Sequence, residues 1–413
     1  MPVPALARRV LGGSVSTETL LRWAALVIWG IVLAASLGRV ALMHNPKHLG
    51  IFPVYFDGGR NWASGQDVYA DHDGLVFRYS PIVAACLSFM ALVPPWLGNL
   101  VIRAANDIVY LGGVMCWARY GVPVRDGAHL DSRSWWALSL LLVPLSVSGL
   151  VDVQFNALII GFMLLAVAAV RRDHWNWAAG LLAAAVLVKV YPIALALLLV
   201  VLFPRKFSWR FALALLLGLL LPFVLQTPVY VWRQYERWFD LLLLNDRQGA
   251  TLGHWYRDVR LLAEAFGWRV SSQAYAVMQA TVALGIAGFC LWLRRVQVAP
   301  AQVLATALGL SCCWMMAFGP ATEQTTYIVL APALAWATLE VIAPPATAAW
   351  RWLAGGIYWT FVFTQVVVWF PCGKQIHNLG LHAAATLLLM GLIVGRAIAA
   401  TRPSQRNLFE ERL

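Results

Sequence analysis

The chain has 413 residues, of which 61% are hydrophobic and 12% charged, with a mean hydropathy of +0.70. Soluble domains carry about 25% charged residues, so this composition excludes an ordinary soluble enzyme and points to an all-α polytopic membrane protein. The formal net charge of +12 comes from Lys and Arg scattered between apolar runs, a pattern of membrane topology and not of a nucleic-acid surface.

Arg8, Arg9 and Arg22 precede an apolar run from Trp23 to Leu42. Basic flanks stay on the cytoplasmic side, so this is a first span with its N-terminus inside. The run is long and no small-residue cleavage site follows it, which favours a retained span over a cleaved signal peptide. The loop over 45–96 is then extracytoplasmic, and its stretch Ile51–Pro81, IFPVYFDGGRNWASGQDVYADHDGLVFRYSP, is the most polar and aromatic of the chain. A carboxylate kept at a membrane edge marks a functional role, and Asp57 is in that position. The alternative is an N-cap for a helix starting between Gly58 and Trp62. Asp67, Asp71 and Asp73, next to Gly65 and Gly74, read as turn formers. The run Ile82–Val93 is too short to cross a bilayer and ends at Pro94-Pro95, so it is expected to lie as a helix along the outer interface.

Spans follow at Trp96–Trp117, Trp135–Leu150 and Ala157–Val170, with Gln154-Phe155-Asn156 between the last two. The apolar run Trp177–Phe203 is interrupted by Lys189-Val190-Tyr191-Pro192 and flanked by Arg171-Arg172 and Arg205-Lys206. Two short helices meeting at the interruption keep both basic pairs on the inner side and raise Lys189 toward the outer face. The other reading is one long helix broken by Pro192, with Lys189 snorkelling to an interface.

Another span, Phe211–Leu225, emerges into a second outer loop over 226–272 that carries Arg233, Arg237, Arg247, His254, Arg257, Asp258, Arg260 and Glu264. Trp255–Phe266 has the pattern of an interfacial amphipathic helix. Its arginines either face headgroups or form a rim for a phosphate, whose oxygens match guanidinium forks. Five more spans are expected at Ala274–Leu293, Val303–Phe318, Tyr327–Ile342, Trp352–Phe370 and Leu379–Ala399, with Glu323 on the outer side between the second and third. The total is about twelve spans in a single integral-membrane domain over 1–413, with a cytoplasmic tail over 400–413.

Many of the 21 tryptophans flank span ends, as aromatic belts do. The six cysteines, Cys86, Cys116, Cys290, Cys312, Cys313 and Cys372, show neither metal-ligand spacing nor a disulfide framework and read as packing residues. Phosphate-binding loops, dinucleotide fingerprints, H-E-x-x-H and G-x-S-x-G are absent. The costly polar groups instead converge on the outer side: a carboxylate in the first loop, arginines in the second, and a lysine reaching the same face. That set suits transfer of a sugar from a lipid phosphate, which needs a base for the acceptor hydroxyl, cations for the departing phosphate and a groove for the lipid. Asp57 can be the base, and Lys189 with Arg60, Arg78, Arg233, Arg237, Arg247 or Arg257 can hold the phosphate.

The order of these motifs resembles the first half of a known family. Asp57–Tyr69 (D-G-G-R-N-W-A-S-G-Q-D-V-Y), then Tyr79-Ser80-Pro81, then Gln154-Phe155-Asn156, then Lys189-Val190-Tyr191-Pro192, is similar to the GT-C glycosyltransferases. Within them it is most similar to family 87, the polyprenyl-phosphate-mannose-dependent mannosyltransferases. The resemblance implies a GT-C fold with two large extracytoplasmic loops carrying interfacial helices, and a polyprenyl phosphate sugar donor. It also implies an inverting transfer of a hexose, mannose first, with Asp57 as base. Donor phosphate and sugar contacts are expected from Lys189, Arg60, Arg78, Tyr69, Tyr79, Gln154, Asn156, Arg247, Arg257 and Glu323, and acceptor contacts from Trp62 and His254. The chain departs from the family at Gly319–Thr326, where a Ser-Pro-x-Ser-Trp-x-His-His type stretch is often found and the histidines are missing.

Plainer roles stand beside these. Tyr69 and Tyr79 serve equally as interface anchors, Gln154 and Asn156 as caps of the following span, and Glu323 as the cap of another, while His254 and His377 are single histidines without partners. No metal site, cofactor or nucleic-acid partner is expected, with a divalent metal left open. The partners are the bilayer, the lipid-linked donor, and a glycolipid, polysaccharide or polyprenyl-linked acceptor. A multi-pass plasma (inner) membrane location with cytoplasmic termini and an extracytoplasmic active site follows from the same layout, and an endoplasmic reticulum membrane with a lumenal site satisfies it too. The rival class is a transporter or flippase of lipid-linked sugars, which calls for paired broken helices and charges near the midplane.

Overall fold

The structure, a computed structural model, describes residues 16–43, 49–70, 76–124, 130–243, 256–319, 322–342, 347–371 and 373–401. Among them the chain is helical with no strand. Helix α1 spans Thr17–Gly38, capped by Ser16 and prolonged by a 3-10 turn over Arg39–Leu42. The first loop holds α2 (Phe52–Ser64) and α3 (Pro81–Cys86), the latter followed by a 3-10 turn over Ser88–Ala91. Next come α4 (Pro95–Tyr120), α5 (Ser132–Val151), α6 (Asn156–Arg171), α7 (Trp175–Val188), α8 (Ile193–Leu202) and α9 (Trp209–Leu220). The second loop holds α10 (Pro228–Leu243) and α11 (Val259–Ala265). The remainder is α12 (Ser272–Arg295), α13 (Pro300–Phe318), a 3-10 segment Gln324–Leu330 running into α14 (Ala331–Ile342), α15 (Ala348–Val366), α16 (Gly373–His377) and α17 (Leu381–Ala399).

Eight helical stretches among the described residues are long and apolar enough to cross a membrane, and α6, α7 and α8 are shorter apolar helices. The expected count of about twelve is therefore not reached by length and composition. The shortfall arises partly because α6 has 16 residues and the run after it is divided into pieces of 14 and 10, below the roughly 20 that a bilayer asks for.

The division falls at Lys189–Pro192, and the two pieces form a hairpin. The rings of Trp175, at the start of α7, and Phe203, just past α8, lie 5.2 Å apart. Lys206 Nζ lies 3.2 Å from Asp173 Oδ1 and over the Trp175 ring. Arg172 sits over Tyr120 and Arg294 over Phe203, so these four basic residues, Arg172, Lys206, Arg294 and the neighbouring Arg205, gather at one end of the bundle. Lys189 and the motif-bearing loops lie at the other end.

Close helix approach builds the frame beneath those loops. A Cβ on Gly113 of α4 would stand 2.6 Å from the Gly161 carbonyl of α6, and one on Gly161 would stand 2.5 Å from that of Val109. Small residues let backbones approach within a membrane, where apolar attraction between helices gives no advantage over lipid. α1 packs on α5, α6 on α7, α7 on α9, and α13 on α17.

Candidate functional site

Helix α2 starts at Phe52, with Pro53 in its first turn, where a proline's fixed φ and missing N–H suit a helix start. Asp57 therefore lies in its second turn, and the N-cap alternative is overturned. Its two following glycines have a packing cause. A Cβ on Gly58 would stand 2.6 Å from the Phe77 ring, and one on Gly59 would stand 2.1 Å from the Leu87 carbonyl. The D-G-G sequence thus lets α2 press onto the segment holding α3, and Pro81–Ala85 are buried beneath it. This corrects the expectation of a helix along the lipid interface over Ile82–Val93. Helix α10, whose buried residues Val231, Gln234, Tyr235 and Trp238 follow helical spacing, clamps the loop from outside. Gln234 accepts from the Val68 N–H at 3.0 Å, and Tyr230 donates to the Gln66 carbonyl at 2.7 Å. Sequence reading missed α10 although that spacing was there to find.

A line of polar side chains runs inward from the surface of this end. Exposed Glu323 accepts from Gln154 Nε2 at 2.9 Å, and Gln154 Oε1 accepts from Asn156 Nδ2 at 2.6 Å. The Asn156 Oδ1, fully buried, accepts from Lys189 Nζ and from the Tyr191 hydroxyl, each at 3.0 Å. Two donors on one oxygen fix the orientation of the amide. Lys189 also lies 5.6 Å from the centre of the Tyr79 ring, a cation–π distance. Asn156 uses one of the three ammonium protons, which leaves two for a ligand among the described partners.

Aromatic rings hold this line in place. The Tyr55 and Tyr79 hydroxyls share a bond of 2.9 Å, and Tyr55 accepts from the Phe155 N–H at 3.2 Å while stacking on its ring at 4.3 Å. Ser80 donates to the Leu187 carbonyl, tying the Tyr-Ser-Pro motif to the end of α7. Burial raises the Tyr55 and Tyr79 hydroxyls above the usual phenol range, so both stay protonated. Burial pulls the Lys189 ammonium down to about 8, opposed by Glu323 and reinforced by Arg78.

Gln154 and Asn156 do not cap α6: its N-cap is Phe155, which makes no capping bond with its side chain. The capping reading fails because both amides are engaged across the bundle. Glu323 does cap its helix, in a reciprocal pair with Thr326, and reaches Gln154 besides. Tyr69 is buried and donates to the Tyr79 carbonyl at 2.8 Å, so it holds the loop together and is not an interface anchor. Asp67 forms the expected turn, accepting from the Tyr69 N–H at 3.0 Å. Trp62, expected to meet the acceptor, is 2% exposed and packs in the core of the loop, meeting Tyr230 edge-on at 5.3 Å.

Asp57 is half-buried at the edge of the α2 packing face and has no hydrogen-bond or ion-pair partner among the described residues. Arg60 is exposed over the Phe56 ring and does not join the polar line. Arg78 donates to the Tyr256 hydroxyl at 3.3 Å, and the neighbouring Arg257 N–H donates to the Thr322 carbonyl at 2.7 Å. The second loop is thereby laced to both the first loop and the Glu323 segment. Arg237 pairs with Asp67 at 3.7 Å. Arg247, His254, Asp71 and Asp73 lie outside the described residues. Tyr55, Phe155, Tyr191 and Thr326 are the members of the site whose roles sequence reading missed. Each stands inside or beside a motif already singled out.

The polar line, the tyrosine pair and the lysine at a helix break bring motifs from three separate parts of the chain to one place. The model of glycosyltransferase family 87 matches residues 77–320, more than half of the chain. The chain belongs to glycosyltransferase family 87. It is a glycosyltransferase with helices able to span a membrane. The matched span of this family 87 chain contains Tyr79, Gln154, Asn156, Lys189 and Arg257, begins after Asp57 and stops short of Glu323. No match was found among curated proteins.

Proposed function

We propose that this family 87 enzyme transfers a hexose, mannose first, from a polyprenyl phosphate sugar to a lipid-linked or glycan acceptor on the extracytoplasmic face of the plasma membrane. The observations that carry the proposal are the polar line ending in buried Lys189 and a half-buried carboxylate, Asp57, that no side chain among the described residues engages. An ammonium with two uncommitted protons is built to take phosphate oxygens, and an uncommitted carboxylate is built to take a proton.

The step runs as follows. Asp57 accepts the proton of the acceptor hydroxyl while that oxygen bonds to the anomeric carbon. The bond from that carbon to the phosphate oxygen breaks, and its electron pair leaves on polyprenyl phosphate. A single displacement inverts the anomeric centre, so a β-linked donor gives an α-linked product. Lys189, with Arg78 of the first loop and Arg257 of the second loop laced to it, offsets the charge gathering on the departing phosphate. Glu323, at the exposed end of the line, and the buried Gln154 bonded to it supply the bonds to sugar hydroxyls.

The test is transfer of radiolabelled mannose from polyprenyl phosphate mannose into a membrane-lipid extract, by wild-type and Asp57→Asn protein in nanodiscs. Loss of a general base lowers kcat by about 10² to 10⁴, so transfer by the wild type and near-absence in a folded variant is the expected result. Full activity in Asp57→Asn removes the base assignment. No transfer by either protein removes the proposed donor.

A further inference from the structure

Inside α4 lies a group of polar residues that the reaction does not use. Asn99, Arg103, Asn106 and Asp107 are all buried there, Arg103 at 1% exposure, in a helix able to cross a membrane. A cation in such a place marks a function because it is costly to keep. Its bonds indicate which one. Nε donates to Asn99 Oδ1 and Nη1 to the Val151 carbonyl, both at 2.8 Å.

Val151 is the last residue of α5. The final carbonyls of a helix have no partner within it and carry the negative end of its dipole. Ser36 of α1 serves the neighbouring carbonyl, its Oγ 3.3 Å from that of Leu150, and Arg39 Nη2 lies 3.9 Å from Asp152 Oδ1. Three groups from α1, its 3-10 extension and α4 therefore grip the end of α5.

The turn after this grip keeps two backbone bonds to α5, from the Asp152 N–H to the Ser148 carbonyl and from the Val153 N–H to the Leu150 carbonyl, yet it holds a strained residue. Val153 has a φ of +58°, the left-handed region that a β-branched residue adopts only when its surroundings impose it. One residue later Gln154 reaches Glu323, and two further on Asn156 opens α6 and meets Lys189. We infer that Arg103 is a positioning residue: by clamping the Val151 carbonyl it sets the turn Asp152–Phe155 that aims Gln154 and Asn156 into the donor site. A guanidinium suits the task because its planar fork reaches Asn99 and Val151 together, whereas a lysine reaches one. The inference rests on the reading of the polar line as the donor site.

The experiment uses full-length Arg103→Gln and Arg103→Lys protein in nanodiscs, with Tyr110→Phe as control. Tyr110 lies on the same helix and bonds the Ser146 hydroxyl of α5, before the helix end that Arg103 holds, at 2.6 Å. Amide hydrogen exchange over residues 152–156 should quicken about tenfold in both Arg103 variants and stay as in wild type in Tyr110→Phe. Mannosyl transfer should fall about tenfold or more in kcat for both Arg103 variants, with thermal midpoints tracking the control. Should Arg103→Gln not fold, Arg103→Lys decides alone. Unchanged exchange over 152–156, or equal quickening in Tyr110→Phe, overturns the inference. If the wild type transfers no mannose, the donor assignment falls while the exchange measurement still decides the positioning role.

Discussion

Replacing Lys189 by Met tests the chemistry of the site most directly. The ammonium bonds Asn156 Oδ1 at 3.0 Å and has two further protons to offer a phosphate. Removing one preorganised donor from a site of developing charge costs about 10² to 10³ in kcat, and Lys189→Met should lose that much with the fold kept, since the Tyr191 hydroxyl still bonds Asn156. The wild type carries a second signature. Burial lowers Lys189 from the ordinary lysine value to about 8, so the ammonium is intact below that pH and lost as pH rises through it. The free-enzyme parameter kcat/KM, read at subsaturating donor, should then fall along a limb centred near pH 8. Stability moves the other way: between about 8 and the ordinary lysine value the unfolded chain holds a proton that the folded chain has released, so the fold gains stability as pH rises. Loss of activity on that limb is therefore separable from unfolding. The assay is single-turnover transfer from polyprenyl phosphate mannose at pH 6 to 10, with thermal midpoints recorded in parallel. A kcat within about threefold of wild type in Lys189→Met, or the same limb persisting in that variant, would refute the reasoning.

Gly59→Ala places a methyl 2.1 Å from the Leu87 carbonyl, a backbone atom that cannot rotate away. Overpacking of this kind costs about 1 to 3 kcal/mol, to be read as a lower thermal midpoint in detergent, and an unchanged midpoint would show that α2 does not press on that segment. Gln154→Leu and Glu323→Gln should each slow transfer, and their double mutant should be less impaired than the product of the two, with a coupling of about 0.5 to 3 kcal/mol. Strict additivity would mean that the 2.9 Å bond between them plays no part in turnover. In a cysteine-depleted background, Gln66→Cys and Asp173→Cys should react with an impermeant maleimide from opposite sides of a sealed vesicle. Reaction of both from the same side would undo the arrangement of the two ends.

How much was legible depended on whether a group's partner was near in sequence or far. The run Trp177–Phe203 announced its hairpin through two basic flanks and a Lys-x-Tyr-Pro break, all local signals, and the rings of Trp175 and Phe203 do meet. The turn at Asp67 was local too. Asn156 was harder: a polar residue opening a helix looks like a cap from sequence, and only the fold brings Lys189, 33 residues on, to its oxygen. Tyr69 and Trp62 have the composition of interface anchors, yet α10 covers them, and nothing in their own neighbourhood says that a helix starting at Pro228 will do so. Gly58 and Gly59 were visible as residues but not as contacts, because the Phe77 ring and the Leu87 carbonyl they accommodate lie further along the chain.

Arg103 passed unremarked for the same reason. In sequence it sits eight residues into an apolar run and reads as a blemish in a span; in the fold it is the partner of a helix end 48 residues away. The site is thus assembled from two kinds of residue. On the proposed reading, motif residues such as Lys189, Gln154 and Asn156 bear the chemistry, and they are recognisable by type and spacing. Residues such as Arg103, Ser36 and Gly59 fix where those motifs stand, and their type makes sense only once a partner is known. On that reading a glycosyltransferase of this build needs both, since an ammonium meets the departing phosphate and a carboxylate the acceptor hydroxyl only while the turns that carry them are held to within a fraction of an ångström.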